Sequence, residues 1–164
     1  MRLEGDDHTP AAGAGSEGAA QPERGLGKPR VVHVTVAGFH VRCQACYMRF
    51  DDVTTWSDAV AACEALGPGT HLVTIGDAEE NALVASILSP DSMWIGANDL
   101  EDEGTFVWIT EEPLSYQNWA SGEPNNVNGS EHCVVMRGAD DSVATMWNDT
   151  FCGLARSYSC ESEL

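Results

Sequence analysis

Apolar and polar residues alternate with a period of two in the stretch VVHVTVAGFHV, which begins at residue 31. Alternation with many β-branched residues is typical of a strand or hairpin, and CYMRF just after it predicts a second short strand. Further short apolar stretches bounded by turn residues, MWIGAND, TFVWIT, HCVVMRG and RSYSCE, also favour strands. Residues 1–30 are rich in Gly, Ala, Pro and charge without a period, so they predict a flexible tether ahead of a folded domain of residues 31–164.

Two segments carry helical signals. In TTWSDAVAACEALG, Thr55 precedes Asp58 by three positions as an N-cap pair, an apolar stripe follows, and a glycine ends the pattern. The second segment, AEENALVASIL, follows Asp77 and has Glu79 and Glu80 in its first turn, where the helix dipole favours acids. The sequence therefore predicts two helices close together along the chain.

Charge is the unusual feature of the composition, because 26 acidic residues stand against 8 basic ones and give a net charge of -18. Residues 31–164 hold 21 of the acids, and their only bases are Arg42, Arg49, Arg137 and Arg156. Nucleic acids and anionic membranes need basic surfaces, so neither is an expected partner. A surface suited to high salt, carboxylate clusters that bind a divalent cation, and a plain soluble acidic protein all stay open at this point.

The 164 residues suffice for one ordinary domain with its own core. The chain has an even number of cysteines: Cys43, Cys46, Cys63, Cys133, Cys152 and Cys160. Six cysteines in a small chain favour disulfides and an oxidising compartment, with the pairing left open. No stretch approaches the roughly 18 apolar residues of a membrane span, so membrane insertion is not expected.

A long polar segment without periodicity separates TFVWIT from HCVVMRG, and such a loop in a compact domain is usually functional. This segment and the later WND supply five side chains with oxygen donors: Glu123, Asn125, Glu131, Asn148 and Asp149. Calcium binds six to eight such oxygens and would cancel the repulsion among the three carboxylates. Pro124, between the first two, is a candidate for a cis peptide bond that fixes the backbone there. A cation is therefore the expected reason for an ordered loop.

In their order along residues 46–161, CY, WSDAVAAC, HLVTI, MWIGAND, EG, YQNW, GEPNN, EHCV, WND, C and CE resemble the motifs of the C-type lectin domain. Each string alone is weak, but an EPN triplet with a following glutamate, a WND and four suitably placed cysteines is a specific combination. The resemblance implies an α+β, C-type lectin-like fold. Two helices would flank small antiparallel sheets, with a long calcium-binding loop region.

The same resemblance implies a binding module without catalysis, secreted or held at the cell surface, with calcium as its cofactor. The implied ligands of the principal calcium are Glu123, Asn125, Glu131, Asn148 and Asp149. Two vicinal hydroxyls of one sugar would complete the calcium shell and hydrogen-bond the same side chains, except that Asp149 serves the metal alone. Val127 would pack against the sugar ring.

The implied sugar partners are glycans of mannose or fucose type. Around Pro124 the acid comes first and the amide second, which is the order of the family's mannose-type members, whereas Gln-Pro-Asp members prefer galactose. Mannose, fucose, glucose and N-acetylglucosamine all present a suitable hydroxyl pair. One open, polar site binds a sugar weakly, so multivalent assembly is expected to supply avidity.

A second calcium site of the family would match Asp99, Glu103 and Asn126, together with the backbone of Glu131. The next position is often an aspartate in the family, but it is His132 here. Neutral imidazole is a poor calcium ligand, and a lost carboxylate lowers the affinity of a site whose strength follows its charge. This second site is therefore expected to be the weaker one.

The disulfides that the resemblance implies are Cys63 with Cys160 and Cys133 with Cys152. Cys43 and Cys46 are left over. A local disulfide between them is the favoured interpretation, and zinc binding with His40, a redox pair and an intermolecular bond are the alternatives.

Two other classes of function stay open. The same fold can serve protein contacts, or ice or mineral surfaces, with calcium in a structural role only. An enzyme would need a nucleophile with a placed base, and none is apparent in the sequence.

Overall fold

The structure is a computed structural model that describes residues 30–32, 45–86, 91–139 and 141–163. The elements, in chain order, are β1 (Arg30–Val32), β2 (Ala45–Thr54), α1 (Trp56–Glu64), β3 (Thr70–Leu72), α2 (Ala78–Ser86), β4 (Met93–Asn98), β5 (Val107–Trp108), a 3₁₀ turn (Val127–Gly129), β6 (Cys133–Met136), β7 (Trp147–Thr150) and β8 (Arg156–Glu163). The predicted tether, except its last residue, and most of VVHVTVAGFHV lie outside the described residues.

In the part of the chain that the structure describes, eight strands join in one sheet. Its main order is β1-β2-β8-β4-β6-β7, with β3 paired to β8 and β5 to β4. The predicted α+β class is confirmed, with one difference in detail: the strands form a single mixed sheet, because the last strand enters between β2 and β4. Strand β8 runs antiparallel to β2 and parallel to β4. The last strand, β8, therefore connects the N-terminal strands β1 and β2 to the strands β4, β6 and β7.

Both predicted helices are present, and a side chain caps the N-terminus of each. The Thr55 hydroxyl oxygen accepts a hydrogen bond from the Asp58 N–H at 3.2 Å, and Asp77 Oδ1 accepts one from the Glu80 N–H at 2.9 Å. Helix α1 packs on the sheet through Trp56 and its neighbours on the same stripe. No helix in the described ranges is long and apolar enough to cross a bilayer.

The core forms on both faces of the sheet because successive side chains of a strand point to opposite sides. In β4, Met93 belongs to one apolar cluster and Trp94 to the other, and Val134 and Val135 of β6 divide in the same way. Every residue of β4 and β6 is buried, which explains why the sequences of both strands are largely apolar without alternation. These two strands give the neighbouring loops a rigid base.

Two disulfides fasten the ends of the fold. Cys63–Cys160 ties α1 to β8 across 97 positions of sequence, a closure that contributes about 4 to 5 kcal/mol in the chain-entropy model. Cys133–Cys152 ties β6 to the segment after β7. Both implied pairings are present. Cys46 lies in β2, but Cys43 lies outside the described residues, so the predicted bond between them stays a prediction.

Candidate functional site

A buried aspartate anchors the polar loop to strand β7. Asp149 is fully buried, and its two carboxylate oxygens accept hydrogen bonds from the N–H groups of Asn125 at 3.0 Å and Asn126 at 2.7 Å. The Glu123–Pro124 peptide bond is cis, as considered from the sequence. The EPN triplet is therefore held directly beside the WND strand.

The backbone of Val127 gathers two more of the predicted ligands. Its N–H donates to Asn125 Oδ1 at 3.2 Å and to Glu131 Oε2 at 2.9 Å. Two oxygens that share one donor must lie close together, so the loop brings this amide and this carboxylate to one place. The Val127 side chain is 49% exposed at the start of the 3₁₀ turn, where it is accessible to a ligand.

Arg137 joins the remaining pair, and sequence reasoning did not identify it. Its Nη2 donates to Asn148 Oδ1 at 2.6 Å and to Glu123 Oε1 at 3.2 Å, while Nη1 donates to Asp141 Oδ2 at 3.1 Å. The signal lies in strand register: Val135 pairs with Asn148, and Arg137 is two positions further along the chain on the same face. The register was not available from the sequence, because WND was not predicted as a strand.

Glu123 is the carboxylate with the least satisfied environment. Its side chain is only 8% exposed, and its Oε2 is buried without a hydrogen-bond partner. Burial raises the pKa of Glu123 above its usual range, and the nearby Asp149 and Glu131 raise it further, while Arg137 acts in the opposite direction. A buried carboxylate oxygen among like charges is a position that a cation would stabilise.

We call the five predicted principal ligands the motif cluster: Glu123, Asn125, Glu131, Asn148 and Asp149. Shared donors and electrostatic contacts link all five. The cluster combines three carboxylates with two amides, a hard-oxygen set that suits calcium. The donor chemistry and the unpartnered Glu123 Oε2 therefore fit the ion that the sequence predicts, and the role of each residue as a ligand stays a prediction.

We call the residues of the second predicted site, with the histidine that follows Glu131, the histidine cluster: Asp99, Glu103, Asn126 and His132. The Nδ1 atom of His132 lies 3.2 Å from Asp99 Oδ1 and 3.2 Å from Glu103 Oε2. The ligand atoms of these three residues all lie within 4.8 Å of one another. The imidazole therefore bridges the two carboxylates, a role that sequence reasoning did not assign to it.

The other oxygens of the histidine cluster also have partners. Asp99 is buried and its Oδ2 accepts from the Gly104 N–H at 2.8 Å, while the Asn126 amide donates to Glu103 Oε1. Asn126 Oδ1 accepts from the Glu131 N–H at 3.0 Å. Each carboxylate of this cluster thus has partners within the chain on both of its oxygens, whereas Glu123 Oε2 of the motif cluster is buried without one.

The fold and the two disulfides agree with comparisons to known proteins, which show that the chain belongs to the C-type lectin domain family. The family model for the lectin C-type domain matches residues 52–162. The chain is 35% identical over 121 residues to the "C-type lectin mannose-binding isoform" of Oxyuranus scutellatus, covering 71% of this chain and 75% of that one.

Solved structures show the same relationship. The C-type carbohydrate-recognition domain of cow CD23, determined in the presence of a GlcNAc2Man3 oligosaccharide, is 32% identical with a TM-score of 0.68, covering 81% of this chain and 98% of that one. A calcium-independent type II antifreeze protein is 27% identical with a TM-score of 0.66, covering 82% and 96%.

Family membership confirms the predicted fold and the prediction that the chain is a binding protein and not an enzyme. Carbohydrate binding is the activity supported at the level of the family, which is generally calcium-dependent.

Proposed function

We propose that the chain is a calcium-dependent carbohydrate-binding module of mannose-type specificity. The observation that carries the proposal is the buried, unpartnered Glu123 Oε2 inside a cluster of three carboxylates and two amides. Such a group is costly without a cation and favourable with one. The names of the relatives support the same conclusion, because one is a mannose-binding isoform and another was determined in the presence of a mannose-containing oligosaccharide.

The motif cluster would hold the ion, and its side chains would form hydrogen bonds with the sugar. When bound, calcium supplies coordination positions for two vicinal hydroxyl oxygens of one sugar. Glu123 and Glu131 would accept hydrogen bonds from these hydroxyls, while Asn125 and Asn148 would donate to them. The exposed Val127 side chain would contact the sugar ring.

Specificity follows from the order of acceptor and donor around Pro124. The acid-then-amide order suits mannose, fucose, glucose and N-acetylglucosamine, each of which can present a suitable vicinal pair of hydroxyls. Galactose has an axial 4-hydroxyl and would leave a polar contact mispaired, at a cost of about 1 to 3 kcal/mol. We expect galactose to bind correspondingly less well.

The histidine cluster would be a weaker calcium site. The imidazole of His132 contacts both carboxylates, and Asn126 and Gly104 donate to other oxygens of the cluster. An ion there would have to displace these contacts before it gained any coordination. Asp99 and Glu103 also offer fewer charges than the three carboxylates of the motif cluster.

We place the module outside the cell or at its surface, because two disulfides require an oxidising compartment. Residues 1–30 would tether the folded domain of residues 31–164 to another part of an assembly. Several copies would then supply the avidity that one open site lacks.

A second candidate function is binding to a protein or to an ice or mineral surface, with calcium in a structural role. The similarity to a solved antifreeze protein supports this candidate, because that protein has the same fold. In that case, removal of calcium would lower stability without releasing a sugar, because no sugar would be bound to the ion.

The test is retention on immobilised mannose in millimolar calcium, followed by elution with a chelator. Free mannose or fucose should compete, and galactose should compete poorly. The double substitution Glu123→Gln with Asn125→Asp should narrow or reverse this preference, since it exchanges acceptor and donor at unchanged formal charge. Equal competition by galactose and mannose would refute the proposed specificity, and retention in chelator would refute the role of calcium.

A further inference from the structure

A cavity of about 160 Å³ lies next to the motif cluster. It is lined by Ser92, Val135, Arg137, Asn148, Thr150 and Arg156. Asn148 is shared by the cavity and the motif cluster, so the two are continuous. A sugar held at the motif cluster would therefore have the cavity beside it.

The cavity has a composition that is unusual for this chain. Residues 31–164 contain 21 acidic residues, yet within the described part of the chain no carboxylate lines the cavity. Two of the three arginines whose side chains the structure describes line it, namely Arg137 and Arg156. The positive charge of an otherwise acidic domain is thus concentrated beside the proposed sugar site.

Strand register explains why the two arginines meet there. Met93 pairs with Met136 on one side and with Ser157 on the other, so the residues adjoining these pairs, Arg137 and Arg156, reach the same end of the sheet. Asn148 and Thr150 occupy alternate positions of β7 and so share one face. Four of the six lining residues therefore lie on strands, and Ser92 and Arg137 directly adjoin the ends of β4 and β6.

Both arginines carry a donor without an acceptor. The Nε of Arg137 and the Nε of Arg156 are buried and have no hydrogen-bond partner. Arg137 is partly neutralised by Glu123 and Asp141, whereas Arg156 Nη1 donates only to the Ala155 carbonyl at 3.3 Å. Among the described residues, none forms an ion pair with Arg156. Arg156 therefore brings a guanidinium charge that no described carboxylate neutralises to the cavity wall, and a guanidinium is matched in geometry to an oxyanion.

We propose that this cavity is a subsite for an acidic substituent, a sulfate ester or a carboxylate, on the sugar held at the motif cluster. The inference rests on the proposed function and adds acidic glycans to its ligands. Arg156 supplies the charge, and the hydroxyls of Ser92 and Thr150 are further donors along the wall. The net charge of -18 opposes anion binding only weakly, because physiological salt screens exposed charges that lie more than about 8 Å away.

The first experiment compares matched sugars by calorimetry in calcium. Methyl α-mannoside is compared with its 6-sulfate, and methyl α-glucoside with methyl α-glucuronoside, so that the sulfate and the carboxylate are each tested against a neutral partner. We expect at least one acidic sugar to bind about 5- to 30-fold more tightly than its neutral partner. Arg156→Gln should remove this preference and leave the affinity for methyl α-mannoside within about twofold.

Two further variants separate local chemistry from charge and folding. Arg156→Lys should keep part of the preference, because it retains the charge but loses the planar pair of donors. Arg30→Gln removes the same charge from β1, at the far end of the sheet order from β7, and should keep all of the preference. Equal affinity for acidic and neutral sugars, or a preference that survives Arg156→Gln, would overturn the proposal.

The second experiment does not depend on calcium or on sugar. Inorganic sulfate is titrated into the protein in chelator, and amide shifts are followed by NMR for the parent and for Arg156→Gln. Shifts around the cavity in the parent alone support the anion site, and their absence overturns it. If neutral sugars fail to bind in calcium, the proposed function has failed, and this titration still decides whether the cavity binds an anion.

Discussion

The motif cluster and the histidine cluster meet at Asn126, whose backbone N–H donates to Asp149 in the first cluster and whose side-chain amide donates to Glu103 in the second. In each cluster, one basic side chain contacts carboxylates. In the histidine cluster, His132 contacts both carboxylates. In the motif cluster, Arg137 contacts only Glu123 among the three carboxylates and leaves Glu123 Oε2 buried without a partner.

The difference shows that a count of acidic residues does not decide where a cation binds. The histidine cluster is the more compact group of ligand atoms, but its oxygens already have internal partners. The motif cluster has an unmet electrostatic requirement, which is the stronger reason for a cation to bind there. The two clusters should therefore respond differently to matched substitutions.

The largest expected effect is the loss of one motif-cluster carboxylate. Glu131→Gln keeps the shape of the side chain and removes one of three charges, so calcium affinity should fall about 100-fold, or about 2.7 kcal/mol. Binding to mannose should be lost with it. Calorimetric titration with calcium measures the first effect and retention on immobilised mannose the second.

The matched control is the same chemical change in the other cluster. Glu103→Gln should alter the affinity of the principal site by less than about threefold, because Glu103 belongs to the histidine cluster. If the two glutamine variants lost calcium affinity equally, the distinction between the clusters would be wrong.

The next effect is a gain of function in the histidine cluster. His132→Asp replaces the imidazole with a third carboxylate, so the number of calcium ions bound should rise from one to two in a calorimetric titration. His132→Asn, which adds no charge, should stay at one ion. A parent protein that already bound two ions with similar affinity would contradict this account of His132.

The smallest expected effect is the pH dependence of stability without calcium. The pKa of Glu123 is raised, first by burial and then by Asp149, so this group favours the folded state at low pH. That contribution is lost as the pH rises through the folded-state pKa. Glu123→Gln stays neutral, so in chelator at pH 7 it should melt at a slightly higher temperature than the parent.

The difference in melting temperature should shrink on acidification, when the parent glutamate also becomes neutral. Glu161, whose pKa is likewise raised by burial, titrates in both proteins and so cancels in the comparison. Glu101→Gln, at an exposed position, is the control. If the Glu123→Gln protein were less stable than the parent at pH 7, the buried charge of Glu123 would not destabilise the folded state.

Local patterns were sufficient to predict most of the fold. Thr55 and Asp77 marked both helix starts correctly, because N-caps are local interactions. The β4 and β6 stretches were recognised as strands by their short apolar runs. Strands β3 and β7 were not predicted. The sequence of β7 is WNDT, three polar residues after an aromatic one, and it forms a strand because β6 pairs with it.

The sequence singled out the five residues that the structure brings together in the motif cluster, but not the contacts among them, and their role as ligands stays a prediction. The family motifs identified Glu123, Glu131 and Asp149 because these residues follow one another in a fixed order along the chain. Arg137 and His132 could not be assigned their contacts in the same way, because their partners are set by strand register and by the path of the loop. Long-range pairing of this kind leaves no periodic signal in the sequence.

The most direct test of the central claim, that the motif cluster holds the calcium ion that carries the sugar, is NMR of the Asn125 and Asn148 side-chain amides. Calcium is titrated first and methyl α-mannoside second. Both amide signals should shift with calcium and shift again with the sugar, and the sugar should cause no shift in chelator. Sugar-induced shifts in chelator, or calcium-induced shifts that spare both amides and fall around His132, would contradict the claim.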